Sequence, residues 1–262
     1  MSDLKVIEVV KDRYATIAKT GESCGCGCGV SETLGYGKDD LATVPEGSDL
    51  GLGCGAPVPK LQLKPGETVV DLGSGPGLDA FLAARQVGAQ GKVIGVDMTP
   101  EMLERARTNA AKGGYANVEF REGRLEHLPV ADASVDAITS NCVINLVPDK
   151  AKVFSEIARV LKPGGRVVVS DIILDGELPE PLASDLLAWA GCVAGAIRRE
   201  TYFGQVKAAG LTDVETLSDI DYLAGLGGEL PAEVNEKLDR AGITPADLAG
   251  KVRSVTWRAY RR

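Results

Sequence analysis

The residues with the most chemistry to offer are sulfur. The chain of 262 residues holds six cysteines and one histidine, His127. Three cysteines fall in Cys24-Gly-Cys26-Gly-Cys28, and Cys54, Cys142 and Cys192 stand alone. A lone histidine excludes zinc sites built on paired histidines and triads that need a second one. Thiolates select soft, thiophilic centres. The alternating Cys-Gly run also reads as part of a zinc or cluster site, although three ligands lack the fourth of a closed tetrahedral centre. Any one of Cys142 or Cys192 also reads as a small buried hydrophobe.

A second set of residues suits a nucleoside ligand. Gly73-Ser74-Gly75-Pro76-Gly77 follows a short apolar strand and precedes a helix, a turn that lets a ligand approach the backbone closely. Its glycine spacing misses the G-x-G-x-x-G pattern that brings a pyrophosphate onto a helix N-terminus. Asp71, two residues before the first glycine, would repel a pyrophosphate and suit a cation. Asp97 ends the next strand, where an acid accepts hydrogen bonds from both ribose hydroxyls. An adenosyl cofactor with a sulfonium and an amino-acid tail fits better than NAD.

These groups need a scaffold, and the chain reads as α/β. Residues 68–72, 92–97, 117–121, 135–140 and 166–173 are strand-like. They alternate with helical stretches at 78–88, after the cap Thr99-Pro100-Glu101, and at 149–161. That alternation implies a doubly wound parallel sheet. An amphipathic helix precedes it, with Val6, Ile7, Val10, Tyr14 and Ile17 on one face, and residues 19–60 read mostly as loop. Residues 176–210 look helical, 214–217 and 254–260 form two further strands, and 220–252 is a polar insert. The expected division is an N-terminal helix and Cys/Gly-rich segment (1–59), a cofactor-binding domain (60–175) and a mainly helical C-terminal cap (176–262).

Composition narrows the setting. With 29 basic and 37 acidic residues the net charge is −8, which argues against a partner in nucleic acid. No charge-free run reaches the roughly 18 residues of a membrane span. The first ten residues carry Asp3, Lys5 and Glu8 and lack the apolar stretch of a secretory leader. A cytoplasmic monomer with no membrane partner is the expectation.

The motifs Val70-Asp71-Leu72-Gly73-Ser74-Gly75-Pro76-Gly77, Gly95-Val96-Asp97-Met98 and Leu161-Lys162-Pro163-Gly164-Gly165 resemble class I S-adenosylmethionine-dependent methyltransferases, over about residues 60–175. The resemblance implies a Rossmann-like fold that holds S-adenosylmethionine through Asp71, Gly73, Ser74, Gly75, Gly77, Asp97, Met98, Leu125 and Asn141. Arg124 stands where the family usually places an acid against the adenine, which leaves that contact to the backbone of Leu125. His127, in Glu126-His127-Leu128-Pro129, reads as a solvated loop histidine.

Around the isolated cysteines the match is closer. Gly51-Leu52-Gly53-Cys54-Gly55, Ser140-Asn141-Cys142-Val143-Ile144-Asn145-Leu146 and Gly191-Cys192-Val193-Ala194-Gly195-Ala196 resemble arsenite methyltransferases, over nearly the whole chain to about residue 215. Ala56 replaces the family's frequent Asn after Gly-Cys-Gly. The resemblance implies that Cys54, Cys142 and Cys192 ligate trivalent arsenic, with Cys142 and Cys192 retained for the monomethylated species. It also implies a redox role for an N-terminal cysteine paired with Cys54, reopened by an external thiol reductant such as thioredoxin or glutathione. Cys26 is favoured on spacing, with Cys24 and Cys28 as rivals. Two other readings remain open. A methyltransferase for a small organic acceptor would tolerate loss of the cysteines. A thiol-rich protein that only sequesters arsenic or soft metals would not need the cofactor loop.

Overall fold

Short runs of β-branched and apolar residues set the framework, and the computed structural model shows where they pack. It describes residues 3–21, 31–183, 185, 189, 192–222, 236, 238–240 and 242–262. Cys24, Cys26 and Cys28, and part of the insert at 220–252, lie outside the described residues. The strands are β1 (Thr68–Leu72), β2 (Lys92–Asp97), β3 (Val118–Glu122), β4 (Val135–Asn141), β5 (Leu161–Leu174), β6 (Leu211–Asp221) and β7 (Val252–Arg261). They form one sheet in the order β3-β2-β1-β4-β5-β7-β6. The first five are parallel, and β7 runs antiparallel to both β5 and β6.

The helices are α1 (Asp3–Thr20), α2 (Lys38–Leu41), α3 (Leu78–Val87), α4 (Pro100–Gly113), α5 (Lys150–Val160), α6 (Glu180–Ala183) and α7 (Arg199–Ala208), followed by a short one at Pro245–Leu248. Alternate side chains of the central strands point to opposite faces, so the sheet is buried on both sides. Val70 and Leu72 of β1 pack with Val153, Phe154 and Ile157 of α5 and Tyr202 and Val206 of α7. Val69, the residue before Val70, packs on the other face with Phe81 of α3 and Leu103 and Ala106 of α4. This is the doubly wound arrangement expected, with the chain reversing between β1 and β4. In such sheets ligands collect at the carboxyl ends of the strands beside that reversal.

Three strands extend further than their patterns indicated. β5 starts at Leu161 rather than 166, because Leu161 pairs with Val135 while Arg166 pairs with Ala137. Residues 162–165 thus loop out of register within the strand. β6 and β7 are both longer than the four- and seven-residue runs read from sequence. The alternation on β6 carries acids and threonines on a half-exposed edge, so hydrophobicity alone understated it. β7 enters the sheet between β5 and β6, and its Trp257 is fully buried. The Trp257 ring lies 6.2, 6.0 and 5.9 Å from those of Phe154, Tyr202 and Phe203. Among the described residues, no helix is long and apolar enough to cross a membrane.

Truncating Trp257 to alanine removes the centre of that aromatic cluster. Trp257→Ala should cost about 3–5 kcal/mol, read as a lowered midpoint in urea with little change in slope.

Candidate active site

At the carboxyl ends of β1, β2 and β4 lies a cavity that opens to solvent. The glycine turn forms one wall. Gly73 and Ser74 donate their backbone N–H groups to Val96 O at 2.8 and 3.1 Å, which locks the turn to β2. Asp97 braces it further, since its carboxylate accepts from Gly75 N at 2.9 Å and Thr99 N at 2.8 Å. Gly73 has φ +64°, and a Cβ there would meet Val143 Cγ2 at 2.4 Å, so no other residue fits.

The same wall is strongly acidic. Asp71, Asp79 and Asp97 are all buried. Asp71 Oδ2 and Ser74 Oγ are buried without a hydrogen-bond partner. Burial, then the charges of Asp79 and Asp97, push the Asp71 carboxyl well above its ordinary range. Burial raises Asp79 to about 6 against the opposing bond from Tyr36, whose hydroxyl donates to Asp79 Oδ1 at 2.6 Å. Burial foremost, and Asp79 next, raise the Tyr36 phenol in turn. Orphaned acceptors around a cavity cost free energy unless a ligand supplies donors or positive charge. A sulfonium, an ammonium and ribose hydroxyls supply both, so the residues present fit S-adenosylmethionine.

The cavity is also lined by Cys142 and Cys192. Cys142 follows β4 and Cys192 lies ahead of α7, while Cys54 comes from the segment before β1. Positions 54, 142 and 192 nonetheless share one buried apolar cluster. The Cys142 thiol hydrogen-bonds with those of both Cys192 and Cys54, and Cys192 Sγ also donates to Cys142 O at 2.8 Å. None of the three is in a disulfide. Cys142 and Cys192 both adopt positive φ, 57° and 65°, which is costly for a side chain with Cβ, on the order of 1–3 kcal/mol each.

The Cys142 and Cys192 thiols are held protonated. The bond to Cys142, then burial, pushes Cys192 well above its ordinary value. For Cys142 the bond from Cys192 acts downward. The bond with Cys54 together with burial outweighs it and lifts the thiol well up. In this state the sulfurs face one another, and among the described residues no three His, Cys, Asp or Glu side chains form a group set to hold a metal ion.

Of the residues singled out from sequence, Asp71, Gly73, Ser74, Gly75, Asp97, Met98, Leu125, Asn141, Cys142 and Cys192 all line this cavity. Gly77 caps α3 behind it at φ +107°, and Cys54 lies beside Cys142. The Asn141 side chain is engaged by protein throughout: Oδ1 accepts from Cys54 N at 3.1 Å. Its Nδ2 donates to Gly55 O at 2.7 Å and Tyr36 Oη at 2.9 Å. His127 is exposed. Arg124 pairs with Glu126, and both line the cavity, so the acid missing at 124 stands two residues later. Sequence reasoning passed over Glu126, Tyr36 and Asp79. Asp79 had a readable signal, being the acid two residues after the last glycine of the turn. Tyr36, in an aperiodic loop, had none.

Fold and cavity together define a class I methyltransferase domain, and a family model described as "Methyltransferase domain" matches residues 63–241. An arsenite methyltransferase of Halobacterium salinarum is 48% identical over 225 residues, covering 79% of this chain and 58% of that protein. One from Aquipseudomonas alcaligenes is 41% identical over 223 residues, 81% of this chain and 64% of its own length. The solved structure of an arsenic (III) S-adenosylmethionine methyltransferase from Chlamydomonas reinhardtii superposes with a TM-score of 0.66 at 33% identity, covering 87% of this chain and 72% of that one. The chain belongs to the arsenite methyltransferase family. It spans about six-tenths of the length of the two curated relatives.

Two outcomes follow for the cofactor wall. Asp97→Ala removes the brace on Gly75 and the acceptor at the end of β2, and should weaken S-adenosylmethionine binding by about tenfold or more in calorimetry. Acidification neutralises Asp79, so affinity for the cationic cofactor should fall between about pH 8 and about pH 5. Affinity for the uncharged S-adenosylhomocysteine sulfur should fall less.

Proposed function

We propose that the protein methylates trivalent arsenic, with S-adenosylmethionine as donor and Cys54, Cys142 and Cys192 as the arsenic ligands. The observation that carries this reading is that Cys142 and Cys192 line the same cavity as the acidic glycine turn, with Cys54 in the same buried cluster as both. The names of the relatives support the same substrate.

The chemistry asks little of acids and bases. Arsenite carries three hydroxyls on arsenic. Exchange with three thiols forms three As–S bonds, breaks three As–O bonds and releases three waters, each thiol proton leaving with a hydroxyl. Thiols held protonated are therefore suited to capture, and no histidine is needed. Trivalent arsenic keeps its lone pair after the exchange and is itself the nucleophile. S-adenosylmethionine, when bound, supplies an electrophilic methyl on its sulfonium. Asp71, Ser74, Asp97 and the backbone of the glycine turn would hold it, while Cys142 and Cys192 hold the acceptor in the same cavity. Orientation and proximity then provide the main acceleration, with effective molarities on the order of 10⁵ M available from good alignment.

Methylation formally oxidises arsenic to the pentavalent state, and its return takes two electrons. Two thiols supply them by joining in a disulfide, and an external thiol reductant, thioredoxin or glutathione, reopens it. We assign this pair to Cys54 and an N-terminal cysteine, Cys26 foremost, and place the protein in the cytoplasm as a monomer.

The test is transfer of a labelled methyl group from S-adenosylmethionine to arsenite in the presence of a dithiol, with arsenic species separated by chromatography. The native protein should give methylated arsenicals. Cys142→Ser should reduce the rate by at least about a hundredfold while binding the cofactor normally. Full activity in that variant would overturn the three-thiol site. Absence of arsenic product from the native protein, with methylation of a quinone-like acceptor instead, would overturn the substrate.

A further inference from the structure

Residues 51–56 carry Cys54 but belong to no helix or strand, so the thiol cannot be positioned by a backbone ladder. Three elements of the sheet hold the segment instead. From β4, Asn141 grips both sides of the Cys54–Gly55 peptide region, accepting from Cys54 N and donating to Gly55 O. From β5, Ser170 leaves no room at Gly55, where a Cβ would sit 2.7 Å from Ser170 Oγ. From β7, the hydroxyl of Ser254 donates to the carbonyl of Cys54 itself. Ser254 is buried, 200 residues from Cys54 in the chain, and is fixed by pairing with Ile172 of β5 and Ile220 of β6. The amide N–H of Cys54 is thus tied to one strand and its carbonyl to another.

We propose that Ser254 is a positioning residue of the thiol site: its hydrogen bond to the Cys54 carbonyl fixes that thiol against Cys142 and so sets affinity for arsenic species that need three sulfurs. The inference rests on the three-thiol reading and deepens it. Arsenite offers three exchangeable hydroxyls and takes three thiols. Monomethylarsonous acid offers two, and the hydrogen-bonded pair Cys142 and Cys192 meets that need without Cys54. When Ser254 lets go, the third sulfur loses effective concentration at the site, while the first two keep theirs. A loss confined to arsenite is the signature, because a general loosening of the fold would weaken both ligands.

Binding of arsenite and of monomethylarsonous acid to the full chain can be followed by the near-ultraviolet absorbance of arsenic–sulfur bonds. Ser254→Ala should bind arsenite about tenfold more weakly, bind monomethylarsonous acid within about twofold of the native protein, and bind S-adenosylmethionine as before. Ser254→Thr, which keeps the hydroxyl, should restore arsenite affinity. Gly55→Ala presses the same segment from the β5 side and should show the same selective loss. Unchanged arsenite affinity in Ser254→Ala, or equal weakening of both arsenicals, would overturn the role of Ser254. Unchanged arsenite affinity in Cys54→Ser would instead overturn the three-thiol reading from which it starts.

Discussion

One carboxamide joins the two halves of the cavity. Asn141, at the end of β4, accepts from the peptide of Cys54 and donates to both Gly55 O and the Tyr36 hydroxyl. Tyr36 in turn donates to Asp79, one of the buried acids beside the glycine turn. A chain of hydrogen bonds thereby runs from the thiol end to the acidic end. Buried polar groups are costly when left unmatched and specify geometry when fully matched. Here the amide hydrogens and oxygen are all matched, so one side chain fixes the placement of the acidic wall relative to the Cys54 segment. An aspartate at this position would lose both donors and add a fourth acid to a wall that already raises its own carboxyls.

Electrostatics and sulfur chemistry divide the cavity. The turn end concentrates carboxylates that burial and mutual repulsion hold partly neutral, an environment that favours arrival of positive charge. Near the cysteines, the bond to Cys142 and burial keep Cys192 protonated, and the bond with Cys54 and burial do so for Cys142. Such thiols are poor general nucleophiles, so they resist alkylation by a methyl donor bound nearby. The left-handed backbone at both Cys142 and Cys192 belongs to the same economy, since strain of this kind persists where the surrounding structure dictates a side chain's direction.

Much of the framework was legible because it obeys local rules. Apolar runs closed by Gly73, Asp97 or Asn141 marked β1, β2 and β4. The Pro100 cap marked α4, and the acid before the glycine turn pointed to a cationic ligand. Groups whose roles depend on distant contacts were not legible. Tyr36 sits in a loop without periodicity, and its meaning comes from Asp79, 43 residues on. Ser254 looks like any strand serine until β7 is seen to lie beside β5. Glu126 was hidden by attention to Arg124, the residue at the family's position, whose side chain turned out to be the partner of that acid. The extent of β6 was obscured for a different reason, because an edge strand needs little hydrophobicity to pair.

The place of β7 has a consequence for how the protein comes into being. This strand follows β1 to β6 in the chain, yet it occupies an interior position of the sheet between β5 and β6, and it carries the serine that holds Cys54. During synthesis the cofactor-binding strands can pair as soon as β5 has emerged from the ribosome. The carbonyl of Cys54 must wait some two hundred residues for its partner, and long-range pairing of this kind is slow. A nascent chain therefore passes through a stage with its parallel core formed and its thiol cluster unassembled. The hold on the Cys54 carbonyl therefore exists only once β7 has been made and has paired with β5.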